Sequence, residues 1–425
     1  GTPQISDAAF YGCSGLSSVV INSGVTRIGT YAFYCCYGLR SLTIPVSVTS
    51  VGSLAFVGCN SICSITVPGK KCDINFDSVT NLVIAEGTTR IGSSAFSGCA
   101  RLKTVTIPSS VTTVGTSAFD GCNNICSVTV PGWKCGIDFA TVTNLVVAEG
   151  VTRIENSAFS GCGGLKAVTI PSSVMNIGSG AFSDCGSLNR VDITDLERWC
   201  KIEFGSYDAN PLCYAKHLYL NGEEVKEITI PEGLTSVGSY AFYNCKGLTN
   251  VTMPVGITAV GRSAFCGCSG LTNILIPEGV MSIKDFAFRD CTGLTTAVIP
   301  PSVASIGDGV FEGCTGLGSG LVVRDGCVLC FNGTCPECVI IPEGVRLIAG
   351  GAFRDRYGLV SVMLPSSLKC IGENAFYGCT SIECLELPEG LESGEEGAAH
   401  EKRQPSGELK TELSPQTAPA AEKTG

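Results

Sequence analysis

One spacing governs this chain. Phenylalanine recurs at Phe10, Phe33, Phe56, Phe96, Phe119, Phe159, Phe182, Phe242, Phe265, Phe288, Phe311, Phe353 and Phe376, and most steps are 23 residues. Around those thirteen anchors, Ala precedes Phe in twelve, Cys follows three residues later in twelve, Leu or Ile follows six later in all, and Pro twelve later in ten. A fixed period of this length is the signature of a repeat architecture. One such unit cannot bury its own Phe, Leu and Ile side chains, so the units must stack and share a continuous interior. At 425 residues an ordinary globular chain is expected to divide into two or three domains, whereas a solenoid lengthens by adding rungs.

Within Ile91 to Thr113 the apolar and small residues are Ile91, Ala95, Phe96, Cys99, Leu102, Val105, Ile107 and Val111, which fits neither one long helix nor one long strand. The alternation of Val105 and Ile107 with Thr104 and Thr106 reads as a short strand with one face inward, and Pro108 ends it because proline offers no N–H to a ladder. Equivalent strands in successive rungs, about 4.8 Å apart, are expected to run parallel and build one long sheet. Gly29, Gly52, Gly92, Gly115 and Gly178 suit a tight corner, and the AFxxC that follows is expected to form a single helical or 3-10 turn on the other side.

The consensus IGxxAFxxCxxLxxVxIPxxVxx resembles the BspA-like (Treponema-type) leucine-rich repeat family, over roughly Ile5 to Leu391. The resemblance implies a right-handed leucine-rich-repeat superhelix, mainly β, belonging to secreted or cell-surface proteins that bind other macromolecules. It names no ligand and implies no cofactor.

The expected organisation is a solenoid over 1–391 with irregular insertions at about 69–85, 132–148, 194–227 and 318–341, followed by a tail over 392–425. That tail has no aromatic residue, Val, Ile or Cys, and is expected to be disordered. Phe33 to Ala95 and Phe96 to Ala158 are near-duplicates of 63 residues, each carrying a 17-residue insertion with Cys-x-Ile-x-Phe that reads as an extra partial rung. The longer insertion carries Trp199 to Phe204, which matches that core, and a hairpin turning at Asn221-Gly222. The chain opens on Gly1 inside a repeat, so a longer or processed protein lacking its N-terminal cap here is expected.

The net charge of −10, with no basic cluster longer than Lys402-Arg403, argues against nucleic acid or an anionic membrane as partner. No apolar run approaches the roughly 20 residues that span a bilayer. Catalysis has little to work with, since the only histidines are His217 and His400. Asn250 and Asn332 open N-x-S/T sequons that a Thr-rich repeat also produces by accident.

Cys327, Cys330, Cys335 and Cys338 read as CxxC-x4-CxxC, a spacing open to a four-thiolate zinc site, to cross-strand disulfides or to unpaired thiols. A hairpin turning within Phe331 to Thr334 would pair Cys330 with Cys335 and Cys327 with Cys338 on opposite faces, against a single tetrahedral site. The repeat cysteines are expected to be stacked thiols, because each occupies the same buried corner. Cys63/Cys72 and Cys126/Cys135 recur at equal offsets that suit two bridges, although Asn189 breaks the pattern in the third insertion.

No nucleophile, base and orienting group can be assembled, so a non-enzymatic binding protein is expected. The alternative is the repeat arm of a larger enzyme whose catalytic domain lies elsewhere. Binding should concentrate where the Ser/Thr monotony of the sheet breaks, at Arg190 and Asp192 and at Trp199, Tyr207, Tyr214 and Tyr219, because aromatic residues and Arg dominate interfaces.

Overall fold

The computed structural model describes residues 3–72, 74–383 and 385–392. It is a β-solenoid of about 16 turns with parallel strands and very little helix. The tail expected to be disordered falls, from residue 393 onward, outside the described residues, as does His400.

Each rung has three faces. The first carries strands of three or four residues, such as Thr104–Thr106 and Ser127–Val130, with alternating half-buried and buried positions. Ten of these, from Ser18–Val20 to Leu218–Leu220, together with the two-residue strand Glu223–Glu224, form the longest sheet. In register they place Leu42, Ile65, Leu82, Val105, Val128, Leu145, Val168, Val191 and Leu218 in one buried column. Burial of each such side chain contributes about 1.5 to 3 kcal/mol, which is why a register slip of one residue is not tolerated. Two-residue strands such as Thr113–Val114 make the second face.

The third face carries the anchor rings, which stack through the interior. Phe242, Phe265, Phe288 and Phe311 lie nearly parallel with centroids 5.3, 5.4 and 5.6 Å apart. The turn expected around each Phe is present but is not helical. Around Phe96, Ala95, Ser97 and Cys99 each donate an N–H to the carbonyl three residues back, while Ser94, Phe96 and Gly98 donate to Thr116, Ala118 and Asp120 of the next rung at 2.7 to 2.9 Å. Alternation of this kind needs left-handed residues two before and two after the Phe, here Ser94 (φ 50°) and Gly98 (φ 75°). A helical turn would direct every N–H along its own axis and leave the next rung unbonded.

The corner glycines are used differently from expectation. Gly52 and Gly115 have no positive φ; a Cβ there would lie 2.4 Å from Thr30 N and Ser93 N of the preceding rung. Close approach of backbones, not turn freedom, requires glycine.

The shorter insertions are extra rungs. Asn81–Ile84 sits between Ser64–Val67 and Thr104–Thr106, and Asn144–Val147 repeats the arrangement. Phe76 and Phe139 join the ring column, tilted against Phe96 and Phe159. The Asn221-Gly222 hairpin forms between Leu218–Leu220 and Glu223–Glu224, with both turn residues left-handed.

That hairpin interrupts the single long sheet expected of the repeat. Its antiparallel strand Glu223–Glu224 occupies the edge, and the parallel pairing resumes in a new sheet at Glu227–Thr229. On the second face the ladder also stops, between Glu203–Phe204 and Ser236–Val237. Side chains sew this seam instead. Trp199 Nε1 donates to Ala241 O at 2.9 Å, Asn210 Nδ2 to Tyr240 O at 2.8 Å, and Asn244 Nδ2 to Cys213 O at 2.7 Å.

A second correction concerns Cys327 to Cys338. No hairpin turns within Phe331 to Thr334; Cys327–Asn332 pairs instead with the preceding strand Gly320–Arg324, around Asp325-Gly326. Cys330 therefore lies opposite Val322 rather than Cys335. Cys338 starts a different strand, Cys338–Ile340, parallel to Ser361–Met363. The left-handed pair Asp325-Gly326 supplies the two-residue turn, and the ring of Phe331 is drawn into the anchor column 5.8 Å from Phe353.

Candidate binding surface

The residues singled out in the sequence divide among three places. Arg190 and Asp192 project from the sheet strand Arg190–Ile193 and form a two-pronged ion pair, Nε to Oδ2 and Nη2 to Oδ1, both at 2.7 Å. In register with Asp192, Tyr219 presents its ring beneath the guanidinium, 3.9 Å from centroid to Cζ. Arg190 is thus held rigid by a carboxylate and an aromatic face, and its pKa is raised by the Asp192 hydrogen bonds.

Trp199 is a correction, because it is buried in the core and edge-on to Phe204. Its indole belongs to the seam, and it offers nothing to a partner. Tyr207 and Tyr214 lie on the turn face. Tyr207 is half exposed and packs 5.6 Å from Tyr243, while the Tyr214 hydroxyl accepts the Asp184 N–H at 2.9 Å.

What the sequence reading missed is the turn face as a whole. Of eleven tyrosines, only Tyr219 stands on a sheet strand. Tyr11 and Tyr34 stack at 5.1 Å, Tyr31 meets Tyr34 edge-on at 5.4 Å, and Tyr240 meets Tyr243 at 6.3 Å. Phe286 lies between the guanidinium groups of Arg262 and Arg289, at 5.5 and 5.4 Å. The signal was available: these aromatic residues fall two before or one after an anchor Phe, positions that point outward once the turn is not helical.

The sheet face is quieter. Asn81 Nδ2 donates to Ser64 Oγ at 2.9 Å, Thr104 Oγ1 to Asn81 Oδ1 at 2.5 Å, and Asn144 Nδ2 to Ser127 Oγ at 3.0 Å. These five side chains spend hydrogen bonds within the sheet itself.

The cysteines form thiol ladders. Cys36, Cys59, Cys122, Cys185, Cys268, Cys291, Cys314 and Cys379 each donate Sγ–H to the carbonyl of the anchor Phe one rung back, at 3.0 to 3.4 Å. Burial pushes the Cys59 thiol up to about 11 and the Cys245 thiol up to about 12. Cys63 and Cys126 are exposed whereas Cys72 and Cys135 are buried, so the two offset pairs do not share a face. Among the described residues no group of three His, Cys, Asp or Glu side chains is placed to hold a metal. Cys327 and Cys330 are buried while Cys338 is exposed, so the CxxC-x4-CxxC spacing does not bring four sulfurs together. His217 Nδ1 lies 2.7 Å from Glu224 Oε1 beside the seam.

The model of the BspA type leucine-rich repeat region matches residues 2–77, 69–137, 138–208, 215–320 and 329–404. The chain belongs to the BspA-type leucine-rich repeat family. No curated protein matches it. Among solved structures, a leucine-rich repeat protein from Bacteroides ovatus is 27% identical over 75% of this chain and 81% of its own, with a TM-score of 0.37. A leucine rich cell surface protein from Faecalibacterium prausnitzii is 27% identical over 74% and 82%, with a TM-score of 0.29. A leucine-rich repeat protein from Eubacterium ventriosum is 22% identical over 93% and 86%, with a TM-score of 0.35. BspA-type repeats are leucine-rich repeats, which serve as protein-interaction modules. Among the described residues no helix is long and apolar enough to cross a membrane.

Proposed function

We propose that this BspA-type chain is a non-enzymatic adhesion protein, secreted or displayed at a cell surface, that recognises a protein or other surface macromolecule through its solenoid. The observation that carries the reading is the placement of ten of the eleven tyrosines off the sheet strands, with Phe286 between Arg262 and Arg289 on the turn face. Tyr and Arg anchors held by neighbours bind with little loss of side-chain freedom, which is where interface energy concentrates. Tyr207, Tyr240 and Tyr243 in the middle of the solenoid, and Arg190 with Tyr219 across the sheet, are the proposed contacts. Asp192 positions Arg190.

Removing the whole long insertion is a poor test, because Trp199 and Asn210 hold the seam. Paired point variants are better: Tyr207→Ser with Tyr243→Ser on the turn face, and Arg190→Ala with Tyr219→Ala on the sheet. Binding of purified chains to immobilised extracellular-matrix and cell-surface proteins is measured by surface plasmon resonance. The turn-face pair is expected to lose at least tenfold in affinity, on the order of 1.4 kcal/mol. A turn-face pair that binds as tightly as the parent refutes the assignment, and turnover of peptide or glycan substrates by the chain refutes the non-enzymatic reading.

A further inference from the structure

The turn face of the first three rungs is apolar and almost free of charge. Ala8, Tyr31 and Leu54 form one outward column and Tyr11, Tyr34 and Val57 a second, with Ala8 N bonded to Thr30 O, Gly12 N to Tyr34 O and Cys35 N to Val57 O, each at 2.8 Å. Tyr11 is 58% exposed, Tyr31 40%, Tyr37 57%, Leu54 43% and Val57 41%. Between Ala8 and Gly69 the only charged residues are Arg27, on the strand Arg27–Ile28, and Arg40, beside the sheet strand Ser41–Thr43, both off this face. Asp7 at its margin is paired with Arg27 at 3.8 Å. Tyr31 and Leu54 also hold the left-handed backbone, at φ 57° and 59°, where bulky side chains are uncommon. Ser94, Ser117, Ser157 and Ser263 fill the same position in other rungs at φ 50° to 56°. The turn therefore needs no large side chain there, and the strain of carrying one points to a use outside the fold.

We propose that this face joins two copies of the chain, three rungs against three rungs, in an antiparallel pair. Charge favours a second copy: a chain of net charge −10 repels itself except where charge is missing, and this face is such a place. Shape favours it too. A two-fold axis crossing the solenoid at the middle rung inverts the rung order, which lays Tyr11 of each copy over Val57 of the other and Ala8 over Leu54, larger side chain against smaller, while Tyr31 and Tyr34 meet their own counterparts. The area is sufficient. Taking about 200 Å² for a whole Tyr side chain, the three exposed tyrosines offer on the order of 300 Å² per copy, and Leu54, Val57 and the half-buried Tyr34 raise this to on the order of 450 Å². Two such faces bury on the order of 900 Å², close to the roughly 1,000 Å² above which specific interfaces lie, which fits a reversible dimer. The rings are ordered before contact, Tyr11 stacked on Tyr34 and Tyr31 edge-on to it, so little side-chain freedom is lost on association. Beyond the shared rungs the two solenoids run in opposite directions, and Tyr207 and Tyr243 of both copies stay free. This inference does not rest on the role proposed for those residues.

The test is sedimentation equilibrium of the full chain across micromolar concentrations, with dithiothreitol present to remove disulfides between exposed thiols such as Cys13 and Cys63. The average mass should climb from one chain toward two. Added sodium chloride should not loosen the dimer, because its contacts hold no ion pair for salt to screen. Val57→Glu sets a carboxylate against Tyr11 of the other copy and should weaken association by about tenfold or more. Tyr31→Ser installs the residue that other rungs carry at this position, so the fold is kept, and it should weaken association to a similar extent. Both variants are checked for an unchanged circular dichroism melt. Tyr207→Ser with Tyr243→Ser should leave association as it is. A single chain at every concentration overturns the proposal and leaves the face to a partner of another kind. A dimer indifferent to both Val57→Glu and Tyr31→Ser overturns it as well, by placing the contact elsewhere, for instance at the terminal strands Gln4–Ile5 and Cys370–Ile371. So does a dimer that is loosened by salt or by the Tyr207 and Tyr243 variant.

Discussion

Replacing Phe265 by Ala tests the ring column where it is most regular. Phe265 is fully buried and stacks on both sides, 5.3 Å from Phe242 at 6° and 5.4 Å from Phe288 at 2°. Truncating a buried Phe generally costs about 3 to 5 kcal/mol, part transfer and part cavity. Two aromatic contacts are lost as well, each worth about 0.5 to 1.5 kcal/mol beyond area burial. The rungs above and below are tied to this one by main-chain ladders, so the cavity cannot collapse by sliding, and the loss should sit at the upper end, near 5 kcal/mol. Phe119, buried with one stacked neighbour, Phe96 at 5.5 Å, should lose about 1 kcal/mol less under the same aromatic accounting. Thr106→Ala, on the outer face, should stay within about 0.5 kcal/mol of the parent. A solenoid need not unfold in one step, so urea melts should be paired with hydrogen exchange, which should place the weakened amides within the rungs flanking residue 265. Losses from Phe265→Ala and Thr106→Ala that agree within about 1 kcal/mol would refute the reasoning, because no cavity term could then be present.

Other expectations follow from single features. Gly115→Ala forces a Cβ against Ser93 N and should cost about 1 to 3 kcal/mol, while Gly92→Ala, whose nearest contact would be 3.8 Å away, should be nearly neutral; matched melting temperatures for the two would count against the close-approach account. Asn210→Ala removes donors to Tyr240 O and Ala241 O and the acceptor for Leu212 N, and should cost about 2 kcal/mol, with exchange rising on both sides of the seam; protection unchanged there would show that the ladder break is bridged in another way. The raised thiols set a pH dependence. Folded values of about 11 for Cys59 and about 12 for Cys245 lie above the unfolded value near 8.5, so the unfolded chain releases protons first and stability, constant below that pH, declines as pH rises toward 12. Urea midpoints that hold level from pH 8 to 11 would contradict buried thiols.

The rung was legible from sequence because its period is rigid. Phe at 23-residue steps, with Leu102, Val105 and Ile107 at fixed offsets, leaves one way to bury all of them. The turn around Phe96 was not, since AFxxC has the spacing of a helical turn and only the left-handed Ser94 and Gly98 reveal otherwise. Ser is not a residue whose presence announces a positive φ. Trp199 looked like a surface anchor because its insertion breaks the repeat, yet breaking the repeat is what obliges a large side chain to fill the gap between Phe204 and Ala241. Cys330 was misplaced because FNGT is a strong turn signal, and Asp325-Gly326 nearby is an equally good one. Which of two turns forms depends on where the ring of Phe331 can be buried, a matter of tertiary packing.

The duplicated 63-residue block bears on how such a chain changes length. Thr104–Thr106 pairs with Asn81–Ile84 in the same register as Ala167–Ile170 with Asn144–Val147. Excising residues 96–158 would bring the Ala167 strand onto the Asn81 strand, a partner equivalent to the one it has now. Unequal recombination between the two copies therefore creates no new junction for selection to repair, and siblings of this gene one block longer or shorter inherit a fold already solved.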